Sequence, residues 1–81
     1  MAHFVATFHT HLSAMRSHRA LQQAGAKAAL APVPRKLSAS CGTCVRYEAD
    51  EALLSCMDVD VDSGFEQLDP KTFHKLYTNE T

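Results

Sequence analysis

Between Leu12 and Ala24 the chain is rich in helix formers, and this one amphipathic segment constrains the fold more than any other feature. Ala14, Met15, His18 and Leu21 fall near a common stripe. Thr10 or Ser13 would cap the start, and Gly25 suits the position just past the end. A short β-prone run, Phe4-Val5-Ala6-Thr7-Phe8, precedes the helix and places Phe4, Ala6 and Phe8 on one face by its period of two. A strand feeding a helix needs further strands to bury both.

Those strands are sought downstream. Ala26 to Val33 reads as a second strand, although its alanines also suit a helix continuing past Gly25. Pro32 and Pro34 end either, since neither donates a ladder bond. Arg35 to Gly42 reads as a loop of small and basic residues. Cys44-Val45-Arg46-Tyr47-Glu48 alternates well enough for a third strand, and Ala49 to Met57 is a short helix candidate with Ala52, Leu53 and Cys56 at helical spacing. Phe73 to Tyr77 fits a last strand. Asp69-Pro70 also starts a helix well, with Phe73, Leu76 and Tyr77 at i, i+3, i+4. The order strand, helix, strand, strand, helix, strand predicts an α+β, ferredoxin-like βαββαβ sandwich with helices on one face of an antiparallel sheet. In that plan the loop between strands 2 and 3 lies at the helix start, which puts Cys41 near His9 and His11.

The 81 residues suffice for a single domain, 1–81, with one modest core. A net charge of -1 argues against nucleic acid as a general partner. No apolar run reaches the ~20 residues of a membrane span, and no signal-peptide core is evident. The expected location is cytoplasmic. Three cysteines are an odd count and too few for a disulfide scaffold.

Cys41 stands in Pro32-Val33-Pro34-Arg35-Lys36-Leu37-Ser38-Ala39-Ser40-Cys41-Gly42-Thr43-Cys44, a basic stretch of small residues. A thiol is nucleophilic only as its thiolate, and a helix N-terminus, Arg35 and Lys36 all favour that anion. Gly42 permits a tight turn, and Ser38 and Ser40 offer hydroxyl donors. Cys56 reads as packing. Strand parity puts Cys44 with Arg46 and Glu48, and Cys41 on the face of Val45 and Tyr47, which disfavours a disulfide between the two unless Gly42 breaks the strand geometry. Two other chemistries stay open. Cys41 and Cys44 would make a thiol-disulfide redox pair, with Cys44 resolving. His9, His11, Cys41 and Cys44 would supply two nitrogens and two sulfurs to zinc in a binding module. The aspartates at Asp58, Asp60, Asp62 and Asp69 approximate a calcium loop with the glycine one place late, and read as a solvated acidic turn. A row such as Val5, Thr7 and His9 would be a modest homodimer surface on the sheet's open face.

The stretches Thr7-Phe8-His9-Thr10-His11, then Ala14, Leu21 and Gly25, then Pro32-Val33-Pro34-Arg35, then Ser38-Ala39-Ser40-Cys41-Gly42 leading into Val45-Arg46-Tyr47, resemble the family of small selenium/sulfur carrier-protein-like domains. The resemblance covers more than half the chain, from about Phe4 to Glu48. It implies a one-domain α+β fold and a carrier thiol at Cys41 that holds a persulfide or selenium. Cys44 is secondary in this reading. The protein would be a carrier and not an enzyme, with no cofactor beyond its covalent cargo, and with sulfur or selenium donor and acceptor proteins as partners.

Overall fold

The computed structural model describes residues 1–37, 42–58 and 60–79. In chain order the elements are β1 (Ala2–Phe8), α1 (His11–Gln23), β2 (Lys27–Pro32), β3 (Thr43–Ala49), a single 3-10 turn (Leu54–Cys56), β4 (Val61–Asp69) and β5 (Thr72–Thr78). The strands form one antiparallel sheet in the order β2-β3-β1-β4-β5. α1 lies over the half made by β1, β2 and β3.

The first half folds as its local signals direct. Phe4, Ala6 and Phe8 face α1 and join Ala14, Leu21, Val45, Tyr47, Ala49 and Val61 in the core. The rings of Phe4 and Tyr47 stack at 5.2 Å between centroids. Thr10 caps α1, its hydroxyl accepting from the Ser13 backbone N–H at 3.1 Å. At the other end Gly25 takes φ +92°, and Ala26 N–H donates to the Leu21 carbonyl while Gly25 N–H donates to that of Gln22. This paired pattern closes the helix and delivers Ala26 into the core. The buried stripe is Ser13, Ala14, Ser17 and Leu21, not one containing Met15, which is exposed. Ser17 is accommodated inside because its hydroxyl accepts from the Asp58 N–H at 2.8 Å.

The second half departs from the expected plan. The α+β class and antiparallel sheet hold, but the ferredoxin-like βαββαβ order does not. Among the described residues a lone 3-10 turn stands where the second helix was expected, and a fifth strand is added at the edge. Leu53 explains the short turn. It takes φ +53°, a left-handed conformation that a continuing right-handed helix cannot contain. From Val61 the acidic segment is strand β4, which sets Asp62 and Asp69 near opposite ends, so among the described residues these two carboxylates do not share a calcium loop. Phe73, Leu76 and Tyr77 lie on strand β5, which pairs with β4 across the turn at Pro70 and Lys71.

The sheet face away from α1 is open only in part: His3 and Arg46 are exposed on it. Val5, Thr7 and Cys44 are fully buried, and Phe65 nearly so. The chain leaving β2 returns over this face, where Lys36 and Leu37 line one hollow with Ser63, Phe65 and Phe73. Val5 and Thr7 are therefore unavailable as a dimer surface.

Candidate functional site at the start of α1

Three chain segments meet where α1 begins. β1 delivers His9, Thr10 and the first helical residue, His11. β3 begins beside it, because Thr7 pairs with Cys44. His11 Nδ1 lies 3.4 Å from Thr43 Oγ1, so the helix start touches the residue two places after Cys41. β4 enters from the other side. His9 N–H donates to the Asp60 carbonyl at 3.1 Å, and His9 Nε2 stands 4.0 Å from Asp62 Oδ1. The carboxylate contact is long and exposed, so it orients His9 weakly.

The loop between β2 and β3 is pinned at its base. Val33 N–H donates to the Gly42 carbonyl at 3.0 Å, which extends the ladder by one rung. Gly42 then takes φ +70°, a left-handed conformation suited to glycine. Ser38, Ser40 and Cys41 lie outside the described residues. The position of Cys41 is thus bounded by Leu37 on one side and by Gly42 and Thr43 on the other.

The described members of the expected site fall in different places. His11 is at the site, and His9 beside it. Arg35 is exposed. Lys36 turns away, since its ammonium donates to the Lys71 carbonyl in the turn between β4 and β5. That turn lies at the far end of β4 from Ser63, ~20 Å along a strand of this rise. The charge of Lys36 is spent there. The Asp69 carboxyl is held below its usual range, first by the backbone N–H of Lys71 and least by Lys36 itself. The pull on an anion at the helix start therefore comes from α1's own N-terminal N–H groups and dipole; the first turn holds no acidic residue, and the Asp62 carboxylate beside His9 acts against that pull.

Cys44 occupies the opposite sheet face from Val45 and Tyr47, as parity required. Its thiol is fully buried and donates to the Pro32 carbonyl at 3.5 Å. Cys56 is half-buried on the 3-10 turn and packs against the core. Of the zinc constellation, Cys41 lies outside the described residues. Among the described residues no three His, Cys, Asp or Glu side chains converge, and three of its four ligands, His9, His11 and Cys44, are described.

Sequence reasoning missed Thr43 as the contact of His11, though the register of β3 against Thr7 carries that signal. It also missed the tie from Lys36 to Lys71, for which no local pattern exists.

No helix among the described residues is long and apolar enough to cross a membrane. A model of the family described as "Putative Se/S carrier protein-like" matches residues 3–58. No curated protein and no solved structure matches.

Proposed function

The chain belongs to the Se/S carrier-like family, and on that premise we propose that it carries a sulfur or selenium atom on Cys41. The observation that carries this reading is the contact between His11 and Thr43. It ties the start of α1 to the chain two residues beyond Cys41, where the helix end favours an anionic sulfur. In the sulfur case the Cys41 thiolate attacks the outer sulfur of a donor's persulfide. A sulfur–sulfur bond forms to Cys41, the donor's own sulfur–sulfur bond breaks, and the donor departs as a thiolate. An acceptor thiolate then attacks the outer sulfur of Cys41 and releases Cys41 as thiolate. No external oxidant or reductant is needed. The protein returns to its starting state only through donor and acceptor proteins, so it is a carrier and not an enzyme. The burial of Cys44 against Pro32 counts against a redox pair, because a resolving thiol must be reached.

The test is an intact mass after incubation with a cysteine desulfurase and either cysteine or selenocysteine, each of which loads the desulfurase with an outer chalcogen that a thiolate can take without an added oxidant. The wild type gains one sulfur or selenium atom, and Cys41→Ala does not. If Cys41→Ala takes up cargo as readily as the wild type, the proposal fails.

A further inference from the structure

Charge is divided along this chain in a way the net value conceals. The first 47 residues hold six of the eight Lys and Arg and none of the nine Asp and Glu. The fold brings some of the two populations together, with Glu48 on β3 opposite Lys27 on β2 and Lys36 near Asp69, but it leaves the exposed face of α1 without an acidic residue of its own. α1 and β2, both free of acidic residues, form one flank of the molecule, and β4 with its acidic approach lies on the other side of the sheet's centre.

On the basic flank a groove runs between α1 and β2, the sheet's outermost strand on that side. Its floor is apolar. Leu12, Met15 and Leu30 are 55%, 47% and 40% exposed and converge there. Arg16 and Arg19 flank them, and neither has an ion-pair or hydrogen-bond partner among the described residues. Leu12, Met15, Arg16 and Arg19 follow the i, i+3, i+4, i+7 spacing of one helix face. A soluble fold gains nothing from leaving large apolar side chains together in water beside unpaired cations.

The strand edge beside the groove is guarded against strand addition. Val33 N–H bonds across the ladder to Gly42, so by alternation Ala28, Leu30 and Pro32 turn their backbone groups outward. His18 Nε2 bonds the Ala28 carbonyl at 3.1 Å, and Pro32 has no N–H. Only Leu30 keeps both backbone groups for a new strand. A second copy pairing along β2 is therefore disfavoured, and recognition falls to side chains. The groove also offers no aromatic ring on which a nucleic-acid base would stack.

We propose that the groove between α1 and β2 docks an acidic, amphipathic segment of a partner protein. Apolar side chains of that segment cover Leu12, Met15 and Leu30, and its carboxylates meet Arg16 and Arg19. Leu12, at one end of the groove, directly follows His11, whose ring contacts Thr43 two residues after Cys41. That this partner is the cargo donor or acceptor rests on the carrier reading; the groove itself does not.

The test is amide chemical-shift mapping on the full chain, using a short helical peptide with leucines at i, i+3, i+4 and i+7 flanked by glutamates. Saturable shifts centred on Leu12, Met15 and Leu30 are expected, weakened by salt. Arg16→Glu combined with Arg19→Glu should weaken binding about tenfold, since two exposed attractions become repulsions. Both positions are exposed, and an unchanged spectrum elsewhere checks the fold. The same peptide with lysines in place of glutamates should not bind. Four results overturn the proposal: no saturable shift, wild-type affinity in the double variant, preference of a single-stranded RNA oligonucleotide for the same amides, or self-association that the double variant abolishes. Peptide binding without cargo on Cys41 keeps the docking surface and removes the carrier reading. Cargo on Cys41 without peptide binding does the reverse.

Discussion

The ammonium of Lys36 donates to the backbone carbonyl of Lys71, which ties the chain leaving β2 to the turn between β4 and β5. That tie holds the return segment over the sheet face where Val5, Thr7 and Cys44 are buried. It connects the middle of the sequence to the last hairpin.

Lys36→Met should loosen the segment without unfolding the domain. The bond is charge-assisted but exposed, so its loss is expected to cost about 0.5–1 kcal/mol. Local opening should then expose Cys44 a few times more often. The measurement is the rate of Cys44 alkylation under native conditions, read by peptide mass. An unchanged rate in Lys36→Met would show that the segment is held by something else.

Tyr47 links β3 to the chain before the 3-10 turn, its hydroxyl donating to the Ala52 carbonyl. Burial pushes its phenol well above the ordinary value of about 10, and the nearby Cys56 adds to the rise. A raised folded-state value means that the folded protein resists ionisation that the unfolded chain accepts. This contribution to stability is complete below about pH 10 and is lost as pH rises beyond it. Tyr47→Phe should lose about 1 kcal/mol at neutral pH, because the hydrogen bond is gone and the Ala52 carbonyl loses its donor. Its stability should also fall less steeply above pH 10 than that of the wild type. Urea titrations across that range check both points, and parallel curves would remove the role assigned to the phenol.

The first half of the fold was legible because its signals are local. Thr10, Gly25 and the alternation of Phe4 to Phe8 act on their immediate neighbours, and the structure uses each as written. The second half was not, because long-range pairing overrides local pattern there. Phe73, Leu76 and Tyr77 have helical spacing, yet they pair with β4. Strand β4 runs through an acidic stretch that reads as a turn, and a register shift against β1 puts Val61 opposite Phe8 in the core while Ser63 and Phe65 oppose Thr7 and Val5 on the other face. At the site, the meeting of His11 with the strand after Cys41 followed from topology. The direction of Lys36 did not, since a long flexible side chain carries no sequence signal for its target.

The cap at Thr10 gives a direct measure of how much α1 depends on its start. Thr10→Ala removes the acceptor for the Ser13 N–H and should cost about 1 kcal/mol. For a domain of this size that is a fall in Tm of about 4–8 °C. Thr10→Ser, which keeps the oxygen, should recover most of it. Thermal melts followed by helical circular dichroism decide the matter, and equal losses in both variants would mean that the methyl group, not the hydrogen bond, matters.

Gly42 is the described residue nearest the proposed carrier thiol, and its conformation sets how the chain enters β3. It takes φ +70°, while a β-carbon placed there would meet nothing within 4 Å. Any cost of substitution is therefore conformational and not steric. Gly42→Ala should lose about 1–2 kcal/mol. Gly42→Asn should lose less, because asparagine tolerates the left-handed region better than alanine. Urea midpoints of the two variants should rank wild type, Asn, Ala. The reverse order, or an alanine variant as stable as the wild type, would show that the turn relaxes to negative φ. In that case the bond from Val33 to the Gly42 carbonyl would not fix the base of the loop. If the ranking holds and cargo uptake falls in step with it, the left-handed turn also governs how Cys41 is presented. Uptake unchanged in both variants would confine the role of Gly42 to stability.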